Sequence, residues 1–398
     1  MKAGAGRGVP EWLRYLLLAV LAGGLLVLQR RNPRWLQELL QPAGRRDLLE
    51  ALRGWWAAAG MRIGLIVLAA ALVVGLIVGG GMLWRAVRRR RAEKALLERV
   101  ASGPTVQLLP RADWKRLDPE DVQVWVRLAD ALPHDEHLAF EIGGNQDGLA
   151  FSLHGSAEGV RAALTQFRAE WPGVFRKAVA AEEDLARPVE GWAVWWVELA
   201  PAAFERAVQA ASADPLRAVL IELNGVLGQG RGLVQVIARR NFGVRKALGE
   251  RAFAAREVET PSKGVRALRT QEAKELEARA RATYLDVTVR VVGLADTSER
   301  AQGIARGLAR AIAASFDSGN PVQPVRQGSD PQIVMRRAPG RMAPWSASDL
   351  AFLAHLAGSD LLGIAPRLAT APARYLPADP EMRFDAGKHH TAFLEEQR

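Results

Sequence analysis

The chain of 398 residues has no cysteine. That excludes disulfides, thiolate metal sites and a cysteine nucleophile, and it fits a reducing compartment. A nucleotide-binding P-loop is also missing. It needs a glycine-rich loop closed by Gly-Lys-Ser/Thr, so that backbone amides cradle phosphate and the lysine reaches it. Here Gly387-Lys388 is followed by His389, and Met382 stands where the first glycine belongs. Gly228, Gly230 and Gly232 precede a strand instead of opening a helix, which is the wrong order for a dinucleotide site. His134-Asp135-Glu136-His137 offers two imidazoles, but on a loop with no further ligand in view. Polar loop residues account for it better than a metal does. No Ser/His/Asp arrangement is identifiable from residue order. These absences point to a protein that is not an enzyme, with no cofactor, no metal and no catalytic residue.

Charge is missing over one long stretch. Ile63–Trp84 holds 22 residues without a charged side chain. As a helix it would reach ~33 Å, enough for a ~30 Å hydrocarbon core. Arg85, Arg88, Arg89, Arg90 and Arg91 follow at once. That block predicts a transmembrane span with its C-terminal end in the cytoplasm. Trp12–Leu28 is a second apolar stretch whose one charge, Arg14, lies near its end. It is read as a short first span. The loop between them carries seven arginines and fits a hairpin poorly; Trp35-Leu36 and Trp55-Trp56 suggest interfacial amphipathic helices.

Net charge is absent from the remainder. The whole chain is +11, and residues 100–398 carry 37 basic and 37 acidic side chains. The high isoelectric point therefore belongs to residues 1–99, with acidic lipid headgroups as the expected partner.

Past residue 99 the pattern repeats. In 104–180, Val106–Leu109 reads as a strand. Asp118-Pro119 caps a helix carrying Val122, Trp125, Leu128 and Leu132. Leu138, Phe140 and Ile142 alternate, then Leu149, Phe151 and Leu153 after a turn at 143–148. Val160, Leu164, Phe167 and Trp171 mark a second helix, and 174–179 a last strand. In 191–325 the same order recurs. Trp192–Leu199 is a strand, and Asp214-Pro215 caps a helix with Leu216, Leu220, Leu223 and Leu227. Strands follow at Leu233–Ala238 and through Leu285, Val287, Val289 and Val291. A helix with Ile304, Leu308 and Ile312 leads to a strand at 321–325. Both read β-α-β-β-α-β, the split βαβ order of a ferredoxin-like unit.

The copies differ at one place. Where the first has a short turn, the second has the insertion 239–282, with twelve basic and six acidic residues. Residues 265–282 look helical, with Glu275–Arg279 and Glu277–Arg281 as i,i+4 pairs. Arg239, Arg240, Arg245 and Lys246 are candidate contacts for nucleic acid or an acidic partner. Residues 326–345 read as a linker. Residues 346–358 form a short helix with Leu350, Leu353 and Ala357 on one stripe and Phe352 and Leu356 beside it. A proline-rich extended tail follows, to 398.

The segments GWAVWWVELAP (191–201), DPLRAVL (214–220) and GLVQVIARR (232–240) form a further pattern with DLAFLAHLAG (349–358) and APRLATAPARYLPADPEMRFDAG (365–387). Together they resemble the region ahead of the ATPase in membrane-anchored relatives of type IV secretion coupling proteins and DNA translocases. In those proteins a P-loop motor follows the proline-rich connector; here the chain has none. The expected fold class is thus α+β: N-terminal transmembrane helices, two ferredoxin-like units and an extended tail. The resemblance implies a non-catalytic component of a conjugative DNA-transfer or type IV secretion system. It would sit at a bacterial inner membrane with its soluble part cytoplasmic. Leu350, Phe352, Leu353 and Leu356 would dock a separate P-loop ATPase. Inner-membrane lipids, DNA and further copies of the chain are the other expected partners. The alternatives are a nucleic-acid-guiding module working through 239–282, or a structural membrane oligomerisation protein outside conjugation.

Overall fold

A computed structural model describes residues 79–88, 90–112, 118–133, 135–171, 174–210, 214–257 and 263–371. Contacts divide the chain into two units, 1–89 and 90–398. In the first, residues 79–88 are helical, and Met82, Leu83 and Trp84 are exposed. The second opens with helical residues 90–101 and holds everything that follows.

In its first half β1 (Thr105–Leu109), α1 (Asp118–Ala131), β2 (His137–Asn145), β3 (Gly148–Gly155), α2 (Ala157–Glu170) and β4 (Phe175–Ala178) follow in order. In its second half β5 (Ala193–Pro201) and α3 (Pro215–Val226) lead to β6 (Arg231–Arg240). The insertion forms α4 (Val244–Glu257) and α5 (Lys263–Arg281). Then come β7 (Tyr284–Ala295), α6 (Ser298–Ala314) and β8 (Val322–Gly328). The strand order is β4-β1-β3-β2-β6-β7-β5-β8.

Period-two alternation decides which side chains meet the helices. Leu138, Phe140 and Ile142 on β2 are fully buried on the helix-covered face, as are Leu285, Val287, Val289 and Val291 on β7. α3 begins where the sequence says it should: Asp214 accepts the Leu216 amide at 2.9 Å, and Pro215 occupies the first turn. The corresponding Asp118 side chain lies outside the described ones.

The expected fold class needs correcting in three respects. Among the described residues no helix is long and apolar enough to cross a membrane. The expected N-terminal transmembrane helices thus have no counterpart there; 12–28 and 63–78 lie outside the described residues. The two halves do not have separate sheets either. β2 and β6 pair antiparallel over eight positions, from His137↔Arg239 to Gly144↔Gly232, and make one antiparallel sheet of nine strands. Two long apolar strands that each need an edge partner have found one another.

The third correction concerns 326–371, read as a linker to 345, a helix over 346–358 and an extended tail; only the helix, shortened to five residues behind its Ser346 cap, is found as read. After β8 the chain forms α7 (Pro331–Met335) and crosses the face of the sheet opposite α1, α2, α3 and α6 as a strap. It then adds β9 (Ala343–Ser346) beside the first residues of β7, where Tyr284–Val287 have no β5 partner. α8 (Ala347–Ala351) starts with a capping box between Ser346 and Asp349 and returns to the core. Trp125 Nε1 donates to the Ala354 carbonyl at 2.6 Å. After α9 (Ser359–Leu362), Leu149 donates to the Arg367 carbonyl and Ala369 to the Leu149 carbonyl. The prolines do exclude a long helix, but an extended chain still has amides to pair.

Gly293 on β7 shows how closely α6 lies on the sheet. A Cβ there would fall 2.0 Å from the Ala301 carbonyl oxygen. Gly303, within α6, has nothing within 4 Å of its Cβ position. Gly293→Ala should therefore destabilise by about 1–3 kcal/mol through overpacking. Gly303→Ala should stabilise by roughly 0.5–1 kcal/mol through helix propensity. Urea midpoints of the two variants should move in opposite directions.

Candidate functional site

One row of polar residues crosses the face that the strap covers. Register puts Ser152, Glu141, Gln235, Arg290, Glu198 and Arg326 side by side on β3, β2, β6, β7, β5 and β8. Arg290 and Glu198 have no exposure to solvent. Buried charge is tolerated only when paired and hydrogen-bonded. Arg290 Nη2 donates to Glu198 Oε1 at 2.8 Å and to the Ala338 carbonyl at 2.8 Å, and Nη1 reaches the Ile333 carbonyl at 3.2 Å. Gln235 Nε2 donates to Glu141 Oε1 at 2.7 Å and to the Val334 carbonyl at 3.1 Å. Glu198 Oε2 accepts the Arg341 amide at 3.0 Å. The row therefore uses its side chains to hold the backbone of the strap.

The strap answers with Arg337, the one non-glycine residue of positive φ (47°) among the described residues. Its guanidinium forks onto both Glu141 oxygens at 3.0 Å and onto Asp184 at 2.8 Å. Burial works against that charge, but Glu141 and Asp184 outweigh it and the Arg337 pKa is raised. Burial pushes the Asp184 carboxyl up, and the Arg337 hydrogen bonds and charge pull it further down, so its pKa is lowered. Burial lowers the Arg290 pKa against the pull of Glu198. Carboxylates engaged in this way anchor the strap to the sheet.

Two histidines flank the row. His154 Nε2 meets the Val100 carbonyl at 2.9 Å and must donate there, which leaves Nδ1 to accept from Thr105 at 2.9 Å. His137 hydrogen-bonds the Arg337 backbone, and its Nε2 has no partner among the described residues. Burial is the largest cause that lowers both to a pKa of about 4. His137 thus opens a buried strand and does not sit on a loop. His134 lies outside the described residues, and among those described no group of residues could hold a metal.

The insertion between β6 and β7 is the other candidate. α4 and α5 pack through Val244, Leu248, Ala252 and Leu276, with Tyr284 beneath. Phe253 (61% exposed), Leu268 (73%) and Phe242 (55%) remain in solvent. Arg239 pairs with Asp286 at 3.3 Å. Arg240 lies 4.9 Å from the Phe242 ring centre and 3.8 Å from Asp130. Arg245 donates to the Ala280 carbonyl at 3.2 Å, and Lys246 stands 3.9 Å from Glu250. These four candidates are each partly engaged at home. The expected Glu275–Arg279 and Glu277–Arg281 pairs are replaced. Arg279 leaves its helix to bond Asp349 at 2.8 Å, and Glu277 takes Arg256 at 2.7 Å. Tertiary partners at closer range outcompete exposed i,i+4 contacts.

Arg85, Arg88, Arg90 and Arg91 are exposed on helical residues; Arg89 lies outside the described ones. Arg88 covers the Trp84 ring at 5.3 Å. The proposed ATPase stripe is elsewhere than expected: Leu350, Leu353 and Leu356 are fully buried in the main core, and Phe352 is partly buried against it. Leucines at that spacing mark an apolar face but do not say whose surface covers it. Sequence pattern alone does not assemble the polar row, although Glu141, Gln235, Arg290 and Glu198 each interrupt an apolar strand. A polar or charged residue at the centre of such a strand is the signal.

No protein-family model matches the chain, and comparison with curated proteins finds no match. The assignment to conjugation or type IV secretion has no support there and is withdrawn.

Proposed function

We propose that this chain is a non-catalytic docking scaffold that holds a separate P-loop ATPase at the inner face of a bacterial membrane. It acts as a homo-oligomer. The α4–α5 insertion is its contact surface, and the arginines at 85–91 meet acidic headgroups. The observation that carries this reading is the exposure of Phe253 and Leu268 on an insertion of net charge +6. Large apolar side chains set among basic ones suit a partner surface that is apolar at its centre and acidic at its rim. The buried Leu350 stripe plays no part in docking.

The test is co-purification with tagged full-length chain from its own cells. A P-loop ATPase should be recovered, and its recovery should fall by at least roughly tenfold for Phe253→Ser/Leu268→Ser, a loss of ~1.4 kcal/mol or more. Undiminished recovery with the double variant defeats the role of the insertion. Recovery of no P-loop protein defeats the proposed partner. The nucleic-acid reading keeps one specific observation, the exposed Phe242 ring beside Arg240. Single-strand binders stack bases on such rings. Anisotropy with labelled oligo-dT should then show salt-sensitive binding that Phe242→Ala weakens.

A further inference from the structure

The two ends of the sheet are unlike. β8 carries Pro324, and its pairing with β5 is broken by a register shift at Glu198/Leu199. Proline and irregularity both discourage another strand. β4 at the opposite end has neither, and Arg176, Lys177 and Ala178 are exposed.

Register shows which backbone groups of β4 are open. Val179 donates to the Thr105 carbonyl, and Val106 faces Ala178. In an antiparallel ladder hydrogen-bonded pairs alternate. Lys177 and Phe175 therefore face β1, while the amides and carbonyls of Ala178 and Arg176 turn outward.

Beside this edge runs a groove of about 380 Å3 between α2 and β4. Arg161, Leu164, Thr165 and Arg168 line it from α2, at i, i+3, i+4 and i+7, and Arg176 from β4. Arg176 lies opposite Leu108, a residue of the helix-side core, so its side chain leaves the sheet on the α2 side. The three guanidiniums are exposed and have no partner among the described residues. Glu170, near Arg168 in sequence, is held by Arg127 at 2.8 Å, and Glu158 is the acid left on this helix.

We propose that the β4 edge and this groove bind an acidic, extended segment of a partner protein as an added strand. Its main chain would pair with Arg176 and Ala178. Alternate side chains would stand ~6.8 Å apart on the α2 side. Arg161 and Arg168 lie ~10.5 Å apart along the helix. Carboxylates at three successive alternate positions span ~13.6 Å, so the outer two come within reach of Arg161 and Arg168 and the middle one meets Arg176. Guanidinium forks suit carboxylates. A peptide also satisfies the outward amides and carbonyls, which a nucleic-acid backbone does not do in register. The surface is separate from the α4–α5 insertion and stands whatever that insertion binds.

The experiment uses full-length chain and a short fluorescent peptide of alternating Glu and Thr. Two controls replace every Glu by Gln, or place proline at the pairing positions. Anisotropy should show binding of the acidic peptide, weakened at least roughly tenfold in each control. Arg161→Glu/Arg168→Glu should abolish it. Ala178→Pro should weaken it roughly tenfold, because it removes an outward amide while leaving the bonds to β1 and the three arginines in place. Both variants alter exposed positions, and an unchanged thermal midpoint verifies their folding. If the proline peptide binds as well as its parent, or Ala178→Pro has no effect, strand addition is wrong. If oligo-dT displaces the peptide and binds more tightly through the same arginines, the surface belongs to nucleic acid and the proposal fails. Absence of peptide binding overturns it outright.

Discussion

Arg337→Ala should destabilise the protein by about 3–5 kcal/mol, the loss expected when one partner of a buried ion pair is removed. The cost does not lie in the lost attraction alone. Glu141 keeps Gln235 and Ser152 as donors but loses both arms of the guanidinium fork. Asp184 keeps the Ala186 amide and loses its counter-charge. Two carboxylates then share a buried space with Arg290 as the nearest cation in the row, and Arg290 is already bonded to Glu198. Arg337→Lys should recover part of the loss, since one ammonium cannot reach both carboxylates in two parallel pairs. Urea midpoints read the effect. Adding Glu141→Gln to Arg337→Ala should restore stability relative to Arg337→Ala alone, because the unpaired charge is gone. A loss below about 1 kcal/mol for Arg337→Ala would mean that water replaces the guanidinium, and that the strap is held by its apolar contacts and the Arg290 carbonyl bonds.

Acid should begin to weaken this protein well above the range where carboxylates titrate. His137 and His154 have folded pKa values of about 4 against an ordinary 6.5. Above pH 6.5 both are neutral in either state and contribute no pH dependence. As pH falls below 6.5 the unfolded chain takes up protons that the folded chain refuses, so folding stability drops. The loss levels off near pH 4, where the folded histidines also protonate. Each can remove about 3 kcal/mol over that window, at ~1.36 kcal/mol per pKa unit. Asp184 acts at lower pH in the same direction: its folded pKa is depressed, so the stability it contributes above its ordinary value is lost as pH falls through the folded one. Denaturant midpoints at pH 7.5, 6, 5 and 4.5 should fall steeply in the native protein. His137→Asn/His154→Gln should flatten the curve above pH 4.5, whatever its own stability at pH 7.5. A native curve that is level from 7.5 to 5 would mean that the two rings reach solvent.

The sequence was most legible where local pattern and burial agree. Leu285, Val287, Val289 and Val291 alternate in the chain and face one side of the sheet in the fold. Asp214-Pro215 opens α3 because a side-chain oxygen and a fixed φ are local devices. The element order of both halves follows from such devices. Which edges meet does not. Nothing in the period of β2 or β6 states that Phe140 lies opposite Val236. The strap is illegible for a related reason. Its fixing groups are the carbonyls of Ile333, Val334 and Ala338, and a backbone carbonyl has no signature in sequence. The candidate docking residues show the limit most directly. Leu350 and Leu353 were apolar as read, but they belong to the chain's own core, while exposed Phe253 and Leu268 carried no periodic sign.

The pairing of β2 with β6 has a consequence for how such a chain arises. In each half the strand at the junction is the second of its own four, and the sheet reads the same from either end: 4-1-3-2, then 2-3-1-4. Antiparallel pairing of equivalent strands is what a twofold axis imposes, with Glu141 and Gln235 standing opposite each other. One half, made alone, would present the same edge to a second copy of itself and close an eight-stranded sheet as a homodimer. The present chain has the arrangement of such a dimer within one polypeptide. Once joined, the halves are free to diverge: one keeps a two-residue turn at Gln146-Asp147, and the other carries α4 and α5 at the equivalent place. A symmetric dimer would have to display that insertion twice. The tandem displays it once, and so gives the molecule a front and a back.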